Sequence, residues 1–161
     1  MKHLGKVTVL AVLGVALSLA ITMPVCAADY KTSSDLVAEA KASITGITVE
    51  QAYQDYYEGN QGDIVFLDVR EVDEVEAGHI PSATWIARGL VEFKIESMFP
   101  ERQEQTFVVY CKVGGRGALA TQTLQLMGYT AINMDGGFDA WQEARYPVRR
   151  GAMSSSGGGC G

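Results

Sequence analysis

Two hydrophobic patterns take turns along the chain. Short continuous apolar runs, bounded by acids or turn residues, occur at 63–68, 83–87, 106–110 and 131–134. Runs of that length without polar alternation predict strands covered on both faces, as in a parallel sheet. Between them, apolar residues recur at helical spacing. Leu36, Val37, Ala40 and Ile44 predict a helix over 30–44, with Ser33 and Ser34 as caps. Thr48 opens a second helix carrying Ala52, Tyr53 and Tyr56, which Gly59-Asn60-Gln61-Gly62 ends. Further helices are predicted at 71–77 (short and acidic), 90–98 (closed by Pro100), 117–127 (stopped by Gly128) and 138–144 (behind Gly136-Gly137). Gly78-His79-Ile80-Pro81 reads as a turn. Strands alternating with helices predict an α/β domain: three layers, a mostly parallel central sheet and helices on both faces.

The ends of the chain depart from this alternation. Lys2 and Lys6 precede 15 apolar or small residues, 7–21, and then Thr22-Met23-Pro24-Val25-Cys26-Ala27. Basic, apolar and small residues in that order predict a secretory signal peptide, cut after Ala27. The apolar run is short for a membrane span, which needs ~20 residues. An acylated Cys26 would want Gly or Ala where Val25 stands, and an uncleaved anchor is the other alternative. Residues 28–45 then form a helical extension, 46–149 the domain, and 150–161 a flexible Gly/Ser-rich tail.

The chain has 161 residues, 47% of them apolar, enough for one domain with a core. Its 13 basic and 19 acidic residues give a net charge of −6. Loss of Lys2 and Lys6 leaves 11 basic against 19 acidic residues, a net −8. That balance argues against nucleic acid as a partner. After signal cleavage no membrane contact is expected. Cys111 and Cys160 would then face an oxidising compartment. From Arg149, 11 steps of flexible tail span roughly 17–20 Å, enough for Cys160 to visit Cys111 and resolve an adduct there; a disordered end with no such role is the alternative.

The candidate chemistry is Cys111-Lys112-Val113-Gly114-Gly115-Arg116-Gly117. Cys111 ends an apolar strand, a glycine loop follows, and a helix begins. Ligands of open α/β sheets bind beyond the carboxyl ends of strands. Glycines let the N–H groups of a tight loop converge, and a helix N-terminus adds partial positive charge. Arg116 and Lys112 add full charges. Such settings lower a cysteine pKa from roughly 8.5 to roughly 3.5–7.5, which predicts an activated nucleophile. A thiolate ringed by donors suits attack on phosphorus or on sulfane sulfur. A ring for a single terminal sulfur is narrower than one for phosphate, and four residues separate Cys111 from Arg116.

These residues resemble the single-domain, exported type of rhodanese-like sulfurtransferase. Cys111 to Arg116 matches the family loop C-x-x-G-x-R. Cysteine phosphatases carry one more residue in that loop and usually His where this chain has Tyr110. Leu67-Asp68-Val69-Arg70 is similar to the family's D-x-R strand end. Glu76-x-Gly78-His79-Ile80-Pro81-Ser82-Ala83 is similar to its E-x-G-H-I-P-G-A turn, with Ser82 in place of Gly. Gly128-Tyr129, Asp135-Gly136-Gly137-Phe138 and Trp141 match its C-terminal signature.

The resemblance implies a ping-pong transfer. A donor such as thiosulfate gives sulfur to Cys111, and a thiol or cyanide removes it. The backbone of Lys112, Val113, Gly114, Gly115, Arg116 and Gly117 would cradle the persulfide. Arg116 would bind the anionic donor or brace the loop, and Lys112 would be a second anion contact. No metal or organic cofactor is implied. A sulfur-carrier module serving a protein partner, and a phosphatase or arsenate-reducing enzyme, are the alternatives. Asp68 and Arg70 are expected to brace the loop, and His79, Trp85 and Trp141 to be structural. Arg88 is open between the pocket and solvent. Glu71, Asp73, Glu74 and Glu76 are expected to form a solvated helix face.

Overall fold

The computed structural model describes residues 30–59 and 63–153. The expected signal segment and Cys160 lie outside the described residues. The elements below belong to a unit that starts at Lys31.

Helix α1, Ser33–Ser43, is capped by Thr32 rather than by Ser33 or Ser34. Thr32 Oγ1 accepts from Asp35 N at 3.3 Å, and the Asp35 carboxylate accepts from Thr32 N at 2.8 Å. The reciprocal box needs a carboxylate or amide three residues on, and the two serines have Leu36 and Val37 there. Thr48 makes the same box with Gln51 and opens α2, Val49–Gln51. The helix widens into π turns over Ala52–Glu58. There Tyr53 stacks on Tyr146 at 4.1 Å, and Tyr53 and Tyr57 pack edge-on to the buried Trp141.

Five strands form one parallel sheet: β1 Gly46–Ile47, β2 Ile64–Asp68, β3 Thr84–Trp85, β4 Thr106–Tyr110 and β5 Thr130–Met134, in the order β1-β5-β4-β2-β3. Central β4 pairs with β2 from Ile64↔Thr106 to Asp68↔Tyr110, and with β5 from Thr106↔Thr130 to Val109↔Asn133. Phe107 and Val109 face one core and Val108 and Tyr110 the other, all fully buried. Two covered faces explain the unbroken apolar run, and burying each such side chain contributes about 1.5–3 kcal/mol. Strand β1, at two residues, is too short to show a period in the sequence. Strand β3 is shorter than the 83–87 run.

The remaining helices are α3 Val72–Ala77, α4 Val91–Met98 (after a 3-10 turn, Arg88–Leu90), α5 Gly115–Leu126 and α6 Gly137–Glu143. Helix α5 starts two residues before the expected Gly117. Gly114, at φ 94°, turns the chain straight into it, and Gly115 sits where no intrahelical N–H bond is needed. Val37 on α1 lies against Gly115, so the N-terminal helix backs the start of α5. Because β3 lies on one side of β2 and β4 on the other, the topological switch point falls between the carboxyl ends of β2 and β4.

Candidate active site

Cys111 directly follows β4 at that switch point. It continues the inward alternation of Phe107 and Val109, so its side chain lies in the core beneath α5 and is 1% exposed. Gly114 N donates to Cys111 Sγ at 3.1 Å. Gly115, Arg116 and Gly117 fill the first turn of α5, whose amides lack intrahelical acceptors. The sulfur thus meets the positive end of a 12-residue helix.

The loop is gripped from behind. Phe138 N and Asp139 N, first-turn donors of α6, bond to Cys111 O (2.8 Å) and Lys112 O (3.0 Å). The Cys111 loop therefore caps α6 with its own carbonyls. Gly137 makes this approach possible, because a Cβ there would lie 2.4 Å from Cys111 O. On the opposite side, a Cβ at Gly117 would lie 2.6 Å from the buried Asn133 Oδ1. Asp135-Gly136-Gly137 is thus the turn into the helix that holds the loop.

Arg116 points away from the role of a free anion receptor. Its Nη1 and Nη2 donate to Glu74 Oε2 and Oε1 at 2.7 and 2.8 Å, and Glu71 stands 3.9 Å off. The hydrogen bonds from Arg116 hold Glu74 at a pKa of about 2, against the opposing effect of burial. The same bonds raise Arg116 above its usual value. Glu74 is therefore part of the site rather than of a solvated face. The sequence held a signal for this: Glu74 also completes a capping box with Glu71, which fixes its direction.

Asp68 and Arg70 form a buried pair behind this bridge. Arg70 Nη2 donates to Asp68 Oδ2 at 2.6 Å and to Gly78 O at 2.7 Å; Nη1 donates to Glu74 O. Its guanidinium lies 4.0 Å from the centre of the Phe138 ring. Burial pulls Arg70 towards neutrality, but the bonds and charge of Asp68 outweigh it and raise its pKa. Burial also pushes the Tyr110 hydroxyl well up, so that it stays neutral. The pair links β2, α3 and α6 around the loop without reaching the sulfur.

Lys112 and Val113 are exposed on the loop. His79 is buried, with Nδ1 3.1 Å from Val75 O and its backbone paired to Arg149. Trp85 Nε1 donates to Arg70 O and Trp141 Nε1 to Pro147 O. Arg88 bonds Glu92 and Thr123. Among the described residues no three His, Cys, Asp or Glu side chains group to hold a metal, and no helix is long and apolar enough to cross a membrane.

Comparison with known proteins agrees with this architecture. Residues 50–144 match the rhodanese-like domain family model. YtwF of Bacillus subtilis (strain 168), named as a candidate sulfurtransferase, is 31% identical over 85 residues, which are 53% of this chain and 80% of YtwF. The structure of RPA3614 from Rhodopseudomonas palustris CGA009, described as a protein of unknown function and a candidate tyrosine phosphatase, is 33% identical with a TM-score of 0.68. That match covers 74% of this chain and 95% of RPA3614. Thiosulfate sulfurtransferase from Pseudomonas aeruginosa shares the fold, with a TM-score of 0.62 and 21% identity over 75% of this chain and 23% of that one. A parallel sheet with Cys111 at its switch point, and a family match spanning 50–144, place the chain in one family: it belongs to the rhodanese-like domain family.

Proposed function

We propose that the protein is a sulfurtransferase in which Cys111 carries sulfur as a persulfide. The Cys111 thiolate attacks the outer sulfur of a small anionic donor such as thiosulfate. A new S–S bond forms, the donor's S–S bond breaks, and sulfite leaves with the electron pair. A thiol or cyanide then attacks the outer sulfur of the persulfide, and Cys111 departs as thiolate. The observation that carries this reading is the Gly114 amide 3.1 Å from Sγ at the start of α5. A fixed donor there can stabilise the negative charge that a transferred sulfur carries. Lys112 is the exposed cation available to the incoming anion, because Arg116 is engaged by Glu74. Export is part of the proposal, supported by the residue order of 1–27.

The description of RPA3614 raises phosphoryl transfer as the competing reading. That chemistry needs an arginine fork free for three phosphate oxygens, and both terminal nitrogens of Arg116 are bound to Glu74. Intact mass of the purified protein after thiosulfate decides the matter. A gain of one sulfur, absent in Cys111→Ala, is expected, together with turnover in a thiosulfate–cyanide assay. Loading without turnover would support a carrier serving a protein partner. No loading, with hydrolysis of an aryl phosphate, would replace sulfur transfer by phosphatase chemistry. The same mass reports whether cleavage follows Ala27.

A further inference from the structure

Gly117 stands in the first turn of a helix, where glycine costs stability and no left-handed turn asks for it. Nearby Gly115 has room for a side chain, since a Cβ there would meet Val37 at an ordinary 3.7 Å. At Gly117 a Cβ would lie 2.6 Å from Asn133 Oδ1. The glycine therefore serves a close approach between α5 and the Asn133 side chain. That side chain is fully buried on β5. It shares a face of the sheet with Ala131, two residues earlier, and so with the core that holds Cys111.

The two ends of the Asn133 amide have different partners. Nδ2 donates to Asp135 Oδ1 at 2.7 Å. A carboxylate only accepts, so the nitrogen faces Asp135 and the oxygen faces Gly117. Oδ1 has no hydrogen-bond partner among the described residues, and the positive end of α5 is a favourable neighbour for it. Both ends lead to the surroundings of the sulfur. The Cβ position of Gly117 is 3.5 Å from Cys111 N, so the turn that rests on Oδ1 also rests on the Cys111 backbone. The Cβ position of Gly114 is 3.4 Å from Gly136 N and 3.8 Å from Asp135 Cα. The turn held by Nδ2 therefore backs the residue whose amide meets Sγ.

We infer that Asn133 is a positioning residue for sulfur transfer: one side chain braces both ends of the Gly114–Gly117 stretch and so sets how far its amides stand from Cys111 Sγ. The inference rests on the sulfur-transfer reading above. Asn133, being fully buried, acts through Gly117 and Asp135 rather than on the donor itself. Stabilisation by backbone dipoles depends on distances fixed before the reaction begins. A displacement of about 1 Å at such a site can cost roughly 100-fold in rate.

The test is single-turnover sulfur loading of the full protein by thiosulfate, followed by intact mass over a range of thiosulfate concentrations. Folding of each variant is checked by urea unfolding. In Gly117→Ala the first turn must shift by most of an ångström, and the maximal loading rate is expected to fall by about 10–100-fold. Asn133→Ser should lower it by roughly tenfold. In Gly117→Ala/Asn133→Ser the clash is gone, and the rate should lie within about threefold of Asn133→Ser alone. The thiosulfate concentration at half-maximal rate should hold throughout, because a lost fit around the sulfur weakens the transition state and spares ground-state binding. Thr121→Val is the control. Thr121 Oγ1, one turn further along α5, is also buried without a hydrogen-bond partner among the described residues, and its removal should leave loading within about twofold of wild type. If Gly117→Ala does not fold, Asn133→Ser against Thr121→Val carries the test. Unchanged loading in folded Gly117→Ala or Asn133→Ser overturns the role of Asn133 while sulfur transfer stands. So do equal losses from Gly117→Ala in both backgrounds, a loss in Thr121→Val as large as in Asn133→Ser, or a change confined to the half-maximal concentration. A wild type that does not load overturns the transfer reading, and this inference with it.

Discussion

Arg116, in the first turn of α5, gives both terminal nitrogens to the carboxylate of Glu74, 42 residues earlier on α3. One ion pair thus ties the start of the helix after the Cys111 loop to the helix that follows the neighbouring strand. The bridge is two-pronged and partly buried, which sets it apart from surface pairs of little consequence.

Its pH dependence has a definite sign. Glu74 titrates near 2 in the folded protein and near 4.5 as a free side chain. A depressed folded pKa gives stability that is complete above pH 4.5 and lost as pH falls towards 2. After screening, its size is on the order of 1–2 kcal/mol. Urea unfolding should therefore show Glu74→Gln less stable than wild type at pH 6, with the gap closing between pH 4.5 and 2. A gap that stays constant over that range would remove the bridge from the account.

Glycine is required at 137 for a different reason than at 128. Gly137, at φ 62°, faces Cys111 O and Lys112 O at 2.4 and 2.6 Å from a would-be Cβ. Gly128, at φ 89°, would meet nothing closer than Arg102 Cδ at 3.8 Å. Gly128→Ala should cost about 1–2 kcal/mol, the left-handed penalty alone. Gly137→Ala should cost on the order of 3 kcal/mol or more and slow sulfur loading, because the loop itself must move. Equal melting temperatures for the two variants would contradict this.

Ser82 stands at φ 64° in the turn before β3, a conformation that favours glycine. Ser82→Gly relieves the strain and loses part of the gain to the more flexible unfolded chain. A net stabilisation of about 0.5–1 kcal/mol is expected, seen as a melting temperature raised by a few degrees. A lower melting temperature would show that the serine side chain holds the turn.

The Asp68–Arg70 pair should show strong coupling. Asp68 is fully buried and Arg70 nearly so. Arg70→Met alone strands a buried carboxylate, at a loss of about 3–5 kcal/mol. Asp68→Asn/Arg70→Met should lose less than the sum of the single changes. Additive losses in a double-mutant cycle would mean that the two side chains act independently.

The sequence by itself determined the layered α/β architecture, the central strands and the place of Cys111 at a strand end. Continuous apolar runs bounded by turns have few other solutions, and Cys111 closing such a run before a glycine loop lies at the edge where α/β sheets bind ligands. It also marked the Gly136-Gly137 turn, because two adjacent glycines before an amphipathic stretch leave little choice. The cap of α1 was legible too, since only Thr32, with Asp35 three positions on, can close the reciprocal box. Tertiary structure alone added β1, whose two residues become a strand only against Asn133 and Met134. And it alone turned Glu74 from one of four acids into the partner of Arg116: a capping box turns the Glu74 side chain back on its own helix, but which group meets it there is settled only when α5, distant in sequence, is folded against α3.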